Sequence, residues 1–480
     1  MEKRIITGFA PDKLFDCFEQ IARIPHGSGN EAALAAYIEK FAAERGCEAK
    51  RDASNNVFVR VPATAGREKE SPVLLQGHLD MVCEKNAATE HDFEKDPLDL
   101  YVEDGWLHAR GTTLGGDDGI AVAVMMAMID GECKSHPELE CLFTTDEEVG
   151  LIGATNFDYS VVRSKKMINM DSENEGSVVV GCAGGLRSDL SLKYKTQPFR
   201  GEALKIALTG LCGGHSGAEI NCGRQNANKL LGRILLNLSG KMRVNLISLA
   251  GGSKDNAIPR EAFCTVSVAN ADRAARAVLR EVERIREELV EADAGLVVTC
   301  SVTAEPAEMM DTASTRRALA VVGTAQNGVI AMSRDIPGLV GFSRNLGVVR
   351  TDCDTKTVDF VFSSRSPIES QLDASVDSLD ALAAVCGCTA RHYSRYPGWN
   401  YATRSPLRDK FVTVARELYG KEPVVEVIHA GLECGIIRSH LPKLDVISIG
   451  PAMRAIHSPD EALNLASCEK FWTLVCRLLA

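Results

Sequence analysis

The chain contains no run of eighteen or more apolar residues, the length a membrane-spanning helix requires, which excludes an integral helical membrane protein. Its first residues, Met1-Glu2-Lys3-Arg4-Ile5-Ile6, lack the apolar stretch of an export signal, so a cytoplasmic protein is expected. No basic cluster is present and the net charge is −11, which speaks against a nucleic-acid surface. Sixteen cysteines are scattered with no Cys-x-x-Cys spacing. That argues against a structural zinc ribbon and for reduced thiols used as small core residues. Internal repeats and low-complexity segments are absent too. What is present is a 480-residue chain, 45% hydrophobic and 25% charged, with the make-up of a globular protein too long for one core.

Taken in order, 11–46 reads as helix, interrupted by the turn His26-Gly27-Ser28-Gly29-Asn30-Glu31. His26, beside glycines in a loop, is expected to be solvated. Strands follow at 56–61 and 73–82, and the second ends in Gly77-His78-Leu79-Asp80. Side chains of an extended segment alternate, so His78 and Asp80 share a face. After a strand and turn over 98–109 comes Gly115-Gly116-Asp117-Asp118-Gly119, leading into the apolar helix Ala121 to Ile129. Asp117 thus sits at a helix start, where free N–H groups favour an anion. Leu139 to Thr145 is a strand ending in Asp146-Glu147-Glu148, and Lys166 to Asp171 is another ending in a carboxylate. Three adjacent carboxylates at a strand end are costly to hold without a cation. In open α/β sheets ligands bind beyond the carboxyl ends of the strands, where these residues gather.

After Gly184-Gly185 the texture changes to short alternating strands, such as 188–194 and 203–209, with a helix predicted over 272–292. This segment holds His215 in a glycine-rich loop, Asn256 before a turn and Arg365 at a strand end. From about Tyr393 the α/β pattern resumes, with a helix at 406–419 and strands at 423–428 and 445–450. It also holds the small-residue turn His429-Ala430-Gly431-Leu432-Glu433-Cys434-Gly435, and His457 ahead of the terminal helix. His78, Asp80, Asp117, Glu147, Glu148, Asp171 and His457 form a donor set suited to Zn²⁺, Mn²⁺ or Co²⁺. Two ions about 3.5–4 Å apart sharing a carboxylate polarise a carbonyl and activate water, and one carboxylate must stay free to take the water's proton.

These motifs, with Thr145 to Gly150, Asn169 to Glu173, Gly213-Gly214-His215-Ser216-Gly217 and His457-Ser458-Pro459-Asp460-Glu461, run in order along nearly the whole chain. In them the chain resembles the M20 family of metallopeptidases, most closely its aminoacyl-histidine dipeptidase branch. The resemblance implies a two-domain α/β protein, with a zinc-peptidase-like catalytic domain of residues 1–184 and 391–480. It also implies an inserted α+β lid and dimerisation domain, residues 185–390. It makes Asp117 the carboxylate bridging two divalent ions, Zn²⁺ first among them. His78 and Asp171 then complete one ion's ligands, and Glu148 and His457 the other's. Asp80 would orient His78 and Glu147 would be the general base. His215 would stabilise the oxyanion across a homodimer interface, while Asn256, Arg365 and the turn reaching Gly435 would bind a dipeptide substrate. The resemblance leaves open other activities of the family, including tripeptidase, carboxypeptidase and N-acyl-amino-acid hydrolase. One departure is Asp118, where close relatives often carry asparagine.

Overall fold

In a computed structural model that describes residues 4–480, the chain forms two compact units. The first comprises the chain up to Cys182, Trp399–Val427 and Leu432–Ala480; the second comprises Ala183–Gly398 and Ile428–Gly431. The crossings therefore fall at 182/183 and 398/399, against the expected 184/185 and 390/391. The second crossing lies later because Thr389–Tyr396 is a strand paired with Gly184–Lys193. Its exposed and half-buried residues give little of the alternation that marks a strand in sequence.

The first unit is built on an eight-stranded sheet in the order 48–51, 57–61, 139–144, 73–78, 166–169, 445–448, 177–182, 424–428. Its four central strands are parallel: Val73–His78 lies between Leu139–Thr144 and Lys166–Asn169, and Asp445–Ser448 follows. His78 pairs with Thr144, and Gln76 with Asn169. The strands therefore end level, and the loops that follow them deliver Asp80, Glu147, Glu148 and Asp171 to one edge.

The helix Gly116–Ile129 packs on the strand Val73–His78 and on the helix Asp12–Ile21. Gly119–Ile129 is buried throughout, as its unbroken apolar run requires. Close approach is built in at Gly77, where a Cβ would stand 2.5 Å from Asp118 Oδ2 and 2.6 Å from Ala121 Cβ. Asp117 and Asp118 depart from helical φ/ψ, so the regular helix begins after them. Both can then turn toward the strand ends. His26 is buried, not solvated: its Nδ1 lies 2.6 Å from the Ile24 carbonyl, and its own carbonyl accepts the Met81 N–H.

The second unit is built on a nine-stranded antiparallel sheet. Its path runs 297–302, 202–209, 262–268, 244–251, 340–352, 357–366, 184–193, 389–396, and 328–332 pairs with 340–352. Helices 227–239, 271–286, 312–324 and 369–386 belong to the same unit, and their inward residues share one apolar core with the sheet. The predicted 272–292 helix ends at Arg286, and a short 3₁₀ turn at Glu291–Asp293 follows.

Candidate functional site

At the carboxyl edge of the parallel strands, two imidazoles meet one carboxylate. Asp117 Oδ1 lies 3.1 Å from His78 Nε2, and Asp117 Oδ2 lies 3.2 Å from His457 Nε2. Glu148 Oε1 is 2.8 Å from His457 Nε2, and Asp171 Oδ1 is 4.0 Å from His78 Nε2. Glu147 joins on the His78 side, where it, Glu148 and His78 each offer a ligand atom within 4.8 Å of the others. All seven sequence-derived candidates from the strand ends and the His457 loop thus belong to one cluster.

Asp80 organises more of this cluster than its spacing suggests. Its Oδ1 accepts the N–H of Glu147 at 3.0 Å, and its Oδ2 accepts the N–H of Glu148 at 3.2 Å and the Ser28 hydroxyl at 2.8 Å. The nearest acceptor to His78 Nδ1 is the Asp80 carbonyl at 2.9 Å, with the carboxylate at 3.4 Å. Asp80 therefore holds the His78 ring through its backbone and the Glu147–Glu148 turn through its side chain. Asp146, which opens that turn, has φ +51°, and its N–H is received by Glu31.

The electrostatics follow from burial and crowding. Burial favours neutral carboxyls, and together with neighbouring Glu433, Glu148 and Asp117 it pushes Glu147 up to about 8, against the opposing pull of His78. Asp171 is pushed well up by burial and by Asp117. Burial opposes the ionised form of Asp117 as well, but His457 and His78 outweigh it and hold that carboxyl well below the usual range. For His78, burial works toward the neutral ring and is overcome by Asp117 and Asp80, leaving the imidazole well above its usual value. Asp117 and Glu148 raise His457 to about 10. This is a surplus of buried negative charge around two imidazoles. A divalent cation answers it, and nitrogen and carboxylate donors are the types that bind such ions.

Three residues carry more than their sequence context indicated. Asp118 is buried; its Oδ2 accepts the His78 N–H, its Oδ1 has no hydrogen-bond partner, and it can join His78 and Asp171 in a ligand group. Glu433 is buried, accepts bonds from Gln76 and the Thr144 hydroxyl, and is pushed up to about 7, chiefly by burial. Glu461 receives four backbone N–H groups of the Asp117 loop. The partnerships span from 40 residues for Asp118 to 289 or more for Glu433 and Glu461, so no local pattern could disclose them. Gly435 lies in the first turn of the helix Glu433–His440, in the same unit.

The chain matches the model of peptidase family M20/M25/M40 over residues 74–480. It belongs to that family. It is 40% identical over 479 residues to the cytosol non-specific dipeptidase of Escherichia coli K12, covering 99% of this chain and 98% of that protein. The crystal structure of aminoacylhistidine dipeptidase from Vibrio alginolyticus superposes with a TM-score of 0.92 at 36% identity, covering 98% of this chain and 97% of that one. The aminopeptidase PepT structure from Bacillus cereus shares the fold, with a TM-score of 0.58 at 16% identity and 98% coverage of both chains. The M20 chain is thus a hydrolase of the peptidase class on an α/β fold.

His215, Asn256 and Arg365 lie in the second unit of this M20 chain. His215 pairs with Ala257 on a two-residue ladder, Ser216 donates its N–H to the Asn256 carbonyl at 2.9 Å, and the Arg365 guanidinium donates to Tyr396 Oη at 3.1 Å. His429 joins them, with Nε2 2.7 Å from Ser343 Oγ. Burial, then Arg365, lowers His215; burial, then Arg365 and His215, lowers His429 to about 4. His429 stands in a motif that the sequence displays, but no role attached to it there. Arg365 is the positive charge beside these two neutral imidazoles, an arrangement suited to an anion.

Proposed function

We propose that this protein is a dipeptidase that hydrolyses unblocked dipeptides, Xaa-His among them, at a centre of two divalent ions, Zn²⁺ or, in its place, Mn²⁺ or Co²⁺. The observation that carries the reading is Asp117, whose two oxygens each face a different imidazole at 3.1 and 3.2 Å. The full-length identity to a dipeptidase and the fit to aminoacylhistidine dipeptidase support the substrate class. Among the described residues no helix is long and apolar enough to cross a membrane. All sixteen cysteines are free, which agrees with a reducing cytoplasmic setting.

Asp117 would hold both ions, with His78 and Asp171 completing the ligands of one and Glu148 and His457 those of the other. When bound, the ions supply Lewis acidity toward the scissile carbonyl and make water a better nucleophile at neutral pH. Glu147, half-buried and anchored by its N–H on Asp80, takes the proton of the attacking water and delivers it to the leaving amine nitrogen. The attack converts the planar carbonyl into a tetrahedral intermediate. His215, contributed across a homodimer, donates to its oxyanion. Arg365 forks onto the substrate carboxylate, and Asn256 and Gly435 are assigned to substrate binding as well.

The test is a panel of Xaa-His and other dipeptides, tripeptides and N-acyl amino acids, assayed after metal stripping and reloading with Zn²⁺, Mn²⁺ or Co²⁺. Dipeptides should be turned over with kcat/KM at least tenfold above the other two classes. Preference for a tripeptide or an N-acyl amino acid would overturn the assignment.

A further inference from the structure

Glu461 is buried, and its carboxylate is spent on the loop that precedes Asp117. Oε2 accepts the N–H groups of Leu114 at 2.7 Å and Gly115 at 3.1 Å; Oε1 accepts those of Gly116 at 2.8 Å and Asp117 at 3.3 Å. Four successive amides aimed at one point form a concave nest that binds an anion, and here the anion is a side chain of the protein itself. The nest requires Gly115 in the left-handed region, at φ +66°. It also requires little bulk at Gly116, where a Cβ would stand 3.2 Å from Glu461 Oε1. The last amide of the nest belongs to Asp117, the carboxylate that faces both imidazoles.

The other end of the clamp is as informative. Glu461 lies four residues after His457, and its own N–H is bonded to the Ser458 carbonyl at 3.0 Å. The loop between them is not at ease: Ala455 and His457 both sit at positive φ, +52° and +59°, a region that residues with a Cβ occupy only when their surroundings impose it. The Ser458 hydroxyl bonds back to the Ala455 carbonyl at 2.6 Å and steadies the turn locally. Glu461 ties that turn, through four bonds, to the backbone of the loop that carries Asp117.

We infer that Glu461 is a positioning residue that fixes His457 against Asp117, and so sets the affinity of one ion of the pair, the one assigned to Glu148 and His457. The clamp also holds the loop of Asp117, which both ions share, but His78 and Asp171 stand at strand ends fixed by the sheet register, so the other ion depends on the clamp less. The inference rests on the two-ion reading above. Glu461→Gln keeps the size of the side chain but turns one acceptor into an amide donor facing N–H groups, which removes the anchor without opening a cavity.

Zn²⁺ uptake by metal-stripped protein, followed by titration calorimetry and elemental analysis, tests it. Wild type should take up two ions. E461Q should bind one ion at least tenfold more weakly than wild type and the other much less affected, with turnover restored as Zn²⁺ is raised. His457→Ala should weaken the same ion, and adding E461Q to it should weaken that ion no further. E461Q with two ions at wild-type affinity would overturn the inference, as would equal weakening of both ions. So would a lowered thermal midpoint of the metal-free protein with uptake unchanged, which marks a merely structural role. Wild type that binds fewer than two ions overturns the two-ion reading instead.

Discussion

Two clusters, one in each unit, use histidine in opposite ways. In the first unit His78 and His457 stand among carboxylates and are both raised above the ordinary imidazole value, the latter to about 10. In the second, His215 and His429 share their surroundings with Arg365 and are both lowered, the latter to about 4. The residue type is the same: carboxylates outweigh burial at His78, whereas at His215 and His429 burial acts first and Arg365 adds to it. A cluster that gathers negative charge around imidazoles calls for cations, and one that gathers positive charge calls for an anion such as a peptide carboxylate. Backbone geometry follows the same division. Parallel strands bring loop carboxylates to one edge in the first unit, whereas the second combines Arg365 of an antiparallel sheet with His215 on a two-residue ladder and His429 in a bend.

The sharpest way to break this division is to strike proton transfer alone. Glu147→Gln preserves the backbone N–H that Asp80 receives and leaves Asp117, Glu148, His78, Asp171 and His457 in place. Turnover should fall by about 10²–10⁴-fold, the usual worth of a general base, while two ions remain bound. A fully metallated variant with substantial kcat would remove Glu147 as the base. Arg365→Lys strikes the other cluster with a smaller effect. It keeps a positive charge but loses the planar fork, which should lower kcat/KM by roughly 10- to 100-fold through KM, metal content unchanged. A drop confined to kcat, or a loss of metal, would blur the two clusters into one.

How much of this was legible in the sequence tracks the same contrast. His78, Asp117, Glu148 and Asp171 each follow an apolar strand or precede an apolar helix, and that local pattern signals a shared edge before any tertiary contact is known. Glu461, Glu433 and His429 lie in motifs that the sequence displays, but they act through partners from 86 to 357 residues away, so their contacts could not be read locally. Asp80 was legible as a partner of His78, but not as the acceptor that holds the Glu147–Glu148 turn. His26 shows the converse failure: flanking glycines suggest solvent, yet the turn folds against Met81 and buries the ring. The late crossing at Gly398 has a similar origin, since a strand with few fully buried residues looks like loop until its partner is known.

The finest test of the contrast asks whether the second cluster really disfavours a proton. His429 has its folded value lowered to about 4 from an ordinary 6.5, by burial first and then by Arg365 and His215. A group lowered on folding takes up a proton when the chain unfolds. The stability it contributes is therefore present above about 6.5 and is lost as pH falls toward 4. His429→Gln carries no titrating group, so the variant should lack that part of the acid sensitivity. In metal-stripped protein, the stability of wild type relative to H429Q should decline by up to about 2–3 kcal/mol between pH 7.5 and 4.5, an order-of-magnitude figure from the shift. Carboxylates that titrate in the same range affect both proteins alike and cancel in the difference. Parallel unfolding curves across that window would show that His429 is not held neutral, and the opposition between the two clusters would then rest on His215 alone.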